Sequence, residues 1–233
     1  MRKQFVITDN VKRFVDIAKA LQNRADGVPG LAVVWGRPGL GKTETAVWYM
    51  AQNIEQVVYL SARPGMTINW FLDELVTELG EAPGRHRQEM FRQAKEHLVQ
   101  SGKLVLIDES DFLTSDSRVL ETVRALHDAT GAPFILLGMQ EFPRKIRRYA
   151  HFYDRIIHFA EFKPLDQSGV KHVAERLCDV KLADDAIAYI TERSNGRMRH
   201  VVRLLYYAER RAKVNGLKMV SLKDLGRGER RVQ

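Results

Sequence analysis

The residues whose types and spacing could do chemistry fall in two short stretches. The first, Gly36-Arg37-Pro38-Gly39-Leu40-Gly41-Lys42-Thr43, places three glycines, a lysine and a hydroxyl residue side by side. It meets G-x-x-x-x-G-K-[ST] at every fixed position. Glycines let a backbone curl until its amides point inward at phosphate oxygens. Lys42 then supplies a point charge for the β- and γ-phosphates of a nucleoside triphosphate, and the Thr43 hydroxyl is a magnesium ligand. An apolar strand segment, Ala32-Val33-Val34, runs into the loop, and a helix starting near Glu44 runs out of it. The amino end of that helix adds a positive dipole facing the anion.

The second stretch is Lys103-Leu104-Val105-Leu106-Ile107-Asp108-Glu109. Its apolar residues carry a strand through a sheet, and its acids emerge at the carboxyl end, where open α/β sheets bind ligands. Asp108 is expected to hold magnesium through water. Glu109, one residue on, is placed to polarise a water for attack on a γ-phosphate. A phosphotransferase acting on a small acceptor would have no need of Glu109 in that role.

These stretches need a scaffold, and the chain supplies an alternating one. An amphipathic helix opens it, with Val11, Phe14, Val15, Ala18 and Leu21 on one face and Thr8 or Asp9 as cap. Five short apolar segments follow, at 31–35, 57–60, 104–107, 134–137 and 156–159, separated by helical stretches. Such alternation predicts an α/β fold, a doubly wound five-stranded parallel sheet flanked by helices. After Pro164 the strand signal stops and helices are expected at 167–180, 184–194 and 198–215, with a short one after Ser221. The expected organisation is therefore a nucleotide-binding core over 1–162, a small carboxyl-terminal helical lid over 163–225, and a flexible basic tail over 226–233.

Composition narrows the partners. The 37 Lys and Arg against 29 Asp and Glu give a net charge of +8, which suits a polyanion such as nucleic acid. No apolar run is long enough to span a bilayer, so no membrane partner is expected. The single cysteine, Cys178, rules out an internal disulfide, fits a reducing compartment and is read as a packing residue.

With these motifs the chain resembles the AAA+ ATPases over nearly its full length. The resemblance implies ATP and Mg2+ as ligands, ATP hydrolysis, and self-association into a ring or helical filament. Ser194-Asn195-Gly196-Arg197-Met198-Arg199 looks like the family's sensor-2 pattern, which makes Arg199 the residue that reaches the γ-phosphate. Tyr153-Asp154-Arg155-Ile156 resembles the arginine-finger site, where one subunit serves its neighbour's nucleotide. Arg147 and Arg148 are rivals for that role. One departure concerns sensor 1: the family normally presents Asn or Thr after the fourth strand, whereas this chain reads Leu137-Gly138-Met139-Gln140-Glu141. Gln140 takes the position of a water-orienting amide, and slow hydrolysis, stimulated by DNA or a partner, is expected.

Within the family the layout is most similar to the transposition regulators of the phage Mu transposition protein B type. The likeness is carried by residues 107–113, by Leu137-Gly138 and by the spacing from Arg147 to Arg155. It implies double-stranded DNA and a transposase as partners, and the cytoplasm of a bacterium or phage-infected host as location. The first helix leads straight into the core, so DNA contact is expected from the ATPase part itself. Arg85 and Arg87, in the linker from Gly80 to Arg87, are the first candidates, and Arg63 on the Ala62-Arg63-Pro64-Gly65 turn is the next. Trp70 and Phe71 lie on an apolar helical face and read as core. Arg203, Arg210, Arg211 and Lys213 read as the polar face of the last long helix. A helicase loader would share every motif, and a nucleotide-gated scaffold with negligible hydrolysis would share most of them.

Overall fold

A computed structural model describes residues 1–225, and the basic tail expected at 226–233 lies outside the described residues. The chain divides into two compact units. One comprises Lys12–Arg37 and Lys42–Phe162; the other comprises Met1–Val11, Pro38–Gly41 and the chain from Lys163 onward.

The first unit is built on a parallel sheet of β1 (Leu31–Trp35), β2 (Val57–Ser61), β3 (Leu104–Asp108), β4 (Phe134–Gly138) and β5 (Ile156–Glu161). The spatial order is β2-β3-β4-β1-β5, so β4 separates β1 from β3. This is the five-stranded parallel sheet that the apolar runs predict. Side chains alternate between faces along each strand, and here both faces are covered. Leu31, Val33, Val105, Ile107, Phe134 and Leu136 share a cluster with Phe71, Leu72 and Leu75 of α3 (Ile68–Glu78), and with Leu98 of α4 (Arg87–Ser101). Leu120 and Val123 of α5 (Ser117–Thr130) complete that cluster. Their alternates Ala32, Val34, Leu104, Leu106, Ile135 and Leu137 are equally buried. Each fully buried Leu or Phe contributes about 1.5–3 kcal/mol by leaving water, so the sheet is a stiff base for whatever projects from its carboxyl edge. Also in this unit are most of α1 (Asp9–Gln22), α2 (Lys42–Gln52), a 3₁₀ turn at Ser110–Ser115, and the short α6 (Phe142–Ile146) and α7 (Ala150–Tyr153).

The second unit contains α8 (Gln167–Leu177), α9 (Asp184–Ser194), α10 (Met198–Val214) and α11 (Leu222–Leu225). Its core gathers Val170, Val173, Leu177, Ile187, Ile190, Val201 and Leu205, with Val6 from the start of the chain. The side chain of Asp166 caps α8 by accepting from the Gly169 N–H at 2.7 Å. Asn10 ties the chain start to Lys163 twice, donating to its carbonyl at 2.8 Å and accepting from its N–H at 3.0 Å. The α-amino group of Met1 meets Glu209 and Asp179. Cys178 is buried in the same core, and burial pushes its thiol up to about 12, consistent with a packing role. One expectation is corrected: strand structure does not end at Pro164. β6 (Lys181–Leu182) and β7 (Met219–Val220) form a small parallel pair, and α8 ends at Leu177 rather than at the expected residue 180. Two-residue strands are too short to leave a periodic signal. Among the described residues no helix is long and apolar enough to cross a membrane.

Candidate nucleotide site

The loop from Gly36 to Thr43 joins the carboxyl end of β1 to the first turn of α2. Two of its glycines adopt conformations that L side chains resist, Gly39 at φ +80° and Gly41 at φ +94°, so the curl depends on those residue types. Lys42, the first residue of α2, is buried. Its ammonium donates to the Gly36 carbonyl at 2.7 Å and to the Arg37 carbonyl at 3.3 Å. Burial lowers the Lys42 pKa, and the charges of Asp108, Glu109 and Asp111 oppose that shift. A cation is thus held among acids from the end of β3. Thr43 and Glu44 are exposed on the opening turn of α2, as are Arg37 and Pro38 on the loop, whereas Leu40 is buried.

Asp108 closes β3 and is buried. One carboxylate oxygen accepts from the Glu109 N–H at 2.8 Å, and the other accepts from the Tyr59 hydroxyl at 3.1 Å. Tyr59 reaches it from the adjacent β2. Its own ionisation is pushed upward by burial and by Asp108, so it remains a donor. Glu109 has a left-handed backbone, φ 51°, uncommon for a residue with a side chain and worth about 1–3 kcal/mol of local strain. Burial and the Asp108 charge raise its pKa, while Lys42 lowers it. A carboxyl raised in this way is better matched to proton abstraction near neutrality. The oxygen donors present, the Thr43 hydroxyl and the Asp108 carboxylate, suit a hard cation. Magnesium commonly takes one or two protein oxygens together with substrate phosphates. Among the described residues no group of three or more His, Cys, Asp or Glu could hold a metal by itself.

Gln140 is brought to the loop: its side-chain carbonyl accepts from Arg37 Nε at 3.2 Å. Asp111 binds the Met139 N–H with one oxygen and Lys145 with the other at 3.1 Å, tying the end of β3 to the segment that carries Gln140. Arg199 opens α10, and its N–H donates to the Gly39 carbonyl at 3.0 Å within the second unit.

Other candidates lie elsewhere. Arg155, just before β5, grips both carboxylate oxygens of Asp128 at 3.2 Å and donates to the His151 carbonyl at 3.1 Å. Burial would raise the Asp128 carboxyl, but the Arg155 hydrogen bond and charge, together with the charges of Arg124 and His127, hold the group low. Arg147 and Arg148 are exposed. The three DNA candidates are exposed, and two of them converge on the start of α3. Arg87 Nε donates to Asn69 Oδ1 at 2.9 Å, and the Arg63 guanidinium lies 5.8 Å from the ring centroid of the neighbouring Trp70. Arg85 sits one turn before Glu89, which accepts its N–H at 3.0 Å. Phe71 is core, whereas Trp70 is half-buried and donates to Glu74 at 2.7 Å. Tyr59, Asp111 and Asp128 escape a reading by motif. The available signal was their position: a tyrosine in the strand beside the acids, and an acid two residues past Glu109.

Similarity to known proteins agrees with this geometry. The ATP-dependent target DNA activator B of Escherichia phage Mu is 30% identical over 154 residues, covering 62% of this chain and 48% of that protein. The chain thus spans about half the length of that phage relative. A Staphylococcus aureus protein described as a potential ATP-binding protein is 24% identical over 265 residues, 94% of this chain and 93% of its own. The solved structure of the Aeropyrum pernix ORC2 protein superposes with a TM-score of 0.74 at 17% identity, over 96% of this chain and 69% of that one, which shows a shared fold. A family model described as AAA domain matches residues 25–146. That match takes in β1, the glycine loop and the acids of β3, more than half of the sequence, and the chain belongs to the AAA family as an AAA+ ATPase resembling the phage Mu protein.

Proposed function

We propose that this protein is an ATP-dependent, sequence-independent DNA-binding ATPase that assembles on duplex DNA as an oligomer or helical filament and delivers that DNA to a transposase, which it stimulates. The observation that carries the reading is the setting of Lys42, a buried ammonium at the glycine loop that feels the charges of Asp108, Glu109 and Asp111. Lys42 exchanges its two loop carbonyls for phosphate oxygens, and backbone amides of the loop complete the cradle. Thr43 and Asp108 would hold magnesium, which when bound neutralises phosphate charge. Tyr59 and the Glu109 N–H fix the Asp108 carboxylate. Glu109 takes the proton of the attacking water, and Arg199 serves the γ-phosphate from a lid beginning at residue 163. DNA as the partner is supported by the phage relative being a target DNA activator, by the net charge of +8 and by Arg63 and Arg87 at the start of α3. Measuring ATP turnover with and without duplex DNA tests the whole reading. Stimulation by DNA is expected, and turnover indifferent to DNA would contradict it. A nucleotide-gated scaffold is the second reading, favoured by Gln140 in the sensor position with its side-chain carbonyl already engaged by Arg37; ATP binding without measurable turnover would select it.

Arg155 is the proposed finger, and its hold on Asp128 must be given up to serve a neighbour. Arg155→Ala should leave ATP affinity of the monomer near normal, while turnover falls by about 10³, the lower range for such a group. Mixing with a Lys42→Ala chain, whose Arg155 is intact, should restore part of that turnover. No rescue despite co-assembly would transfer the role to Arg147 or Arg148.

If Arg63, Arg85 and Arg87 contact DNA phosphates, each Ala substitution should flatten the plot of log affinity against log salt by about 0.9 per lost contact on duplex DNA. ATP binding to the monomer should persist. Unchanged slopes for all three, with DNA binding intact, would place the contacts on another surface.

A further inference from the structure

The helix α10 presents a basic and aromatic stripe that the nucleotide chemistry does not use. At 3.6 residues per turn, Arg203, Tyr206 and Arg210 fall within a sector of about 60° on one face of α10. All three are exposed, whereas Val201, Leu205, Ala208 and Ala212 on the other side are buried in the second unit. Their neighbours off the stripe are occupied: Arg211 donates to the Leu225 carbonyl at 2.9 Å, and Lys213 binds Asp179 at 3.0 Å and Glu209 at 2.7 Å. The side chains of Arg203 and Arg210 make no hydrogen bond or ion pair among the described residues. Between them Tyr206 is 51% exposed, its ring 5.7 Å from that of Tyr207, which is itself 41% exposed. Two adjacent uncovered tyrosines thus stand between arginines whose side chains have no partner among the described residues. Burial, joined by the charges of Arg203, Arg197 and Arg199, depresses the pKa of His200 at the start of the same helix.

We infer that this face of α10 is a second contact surface for the sugar–phosphate backbone of duplex DNA, with Arg203 and Arg210 on phosphates and the Tyr206 ring against the sugar edge between them. The charge complementarity is direct, because two guanidinium groups with no partner among the described residues face a partner that carries a phosphate at every nucleotide. The spacing also fits. Seven residues of helix rise separate the two arginines by about 10 Å along the axis, roughly three phosphate spacings of ~3.4 Å on one strand, so a single strand's backbone can run past both arginines with its sugars between them. The backbone is the part of DNA that carries no sequence information, so such a surface would add affinity without base preference. The inference rests on the reading of DNA as the partner, and it assigns that partner a site on the helical unit.

The test uses the full chain with ATP and a fluorescent duplex, its anisotropy followed across a salt series. Arg203→Ala with Arg210→Ala should weaken binding and flatten the salt slope by about 1.8, two contacts at 0.9 each. Arg203→Lys with Arg210→Lys should keep the slope, because the charge remains, and Tyr206→Ala should lower affinity with the slope unchanged. Wild-type affinity and slope in the double Ala variant, with wild-type DNA binding intact, would overturn this inference and leave the proposed function standing. A slope lost equally in the double Lys variant would also overturn it, since that loss could not be electrostatic. Failure of the wild-type chain to bind the duplex under any nucleotide condition would remove both.

Discussion

Lys42→Ala is expected to abolish nucleotide binding and, with it, any nucleotide-dependent assembly. The ammonium is buried, bonds two loop carbonyls and sits in the field of Asp108, Glu109 and Asp111. A charge-assisted hydrogen bond of this kind is worth about 1.5–3 kcal/mol, and each 1.4 kcal/mol is about tenfold in affinity. The direct loss is therefore about 10- to 100-fold. It is compounded because the acids of β3 then face the incoming phosphates with no cation between them. Equilibrium titration with a fluorescent ATP analogue should show binding weakened by at least about 100-fold. Affinity close to wild type would mean that the glycine loop does not hold the phosphates.

Glu109→Gln should do the opposite to binding and more to chemistry. The amide is isosteric, keeps the backbone N–H that Asp108 accepts, and removes one negative charge near the phosphates. ATP affinity should stay the same or rise. Turnover should fall by about 10²–10⁴, the usual worth of a positioned general base. The raised Glu109 pKa adds a pH signature. Only the ionised carboxyl can take a proton, so wild-type turnover should fall as pH drops through a value above the ordinary carboxylate range. That acid limb should vanish from whatever activity the Gln variant retains. Ordinary turnover by the variant, or an unshifted acid limb in it, would remove Glu109 from the proposed role.

What could be read from sequence follows physical range. β1, β3 and β4 are continuous apolar runs because both faces of a central parallel strand are covered, and such runs are visible locally. The loop from Gly36 to Thr43 is legible for a related reason: its backbone curl demands glycine at fixed spacing, as the positive φ of Gly39 and Gly41 illustrates. The Tyr59 bond to Asp108, the Asp111 bridge to Met139 and the Asp128 clamp on Arg155 join residues distant in sequence, and no periodicity encodes them. Nor does any local pattern mark the left-handed backbone of Glu109, which is imposed by the turn from β3 into the 3₁₀ segment. The joining of Asn10 to Lys163, and the two-residue strands β6 and β7, are tertiary features of the same kind.

Nucleotide at the Lys42–Asp108–Glu109 site is proposed to govern DNA binding. The most direct test is anisotropy of a labelled duplex of arbitrary sequence, titrated with the wild-type chain in the presence of ATP, of ADP or of no nucleotide. Tight binding with ATP alone, unchanged when the duplex sequence is scrambled, is the predicted result. Binding of equal strength with no nucleotide, or none with ATP, would contradict it.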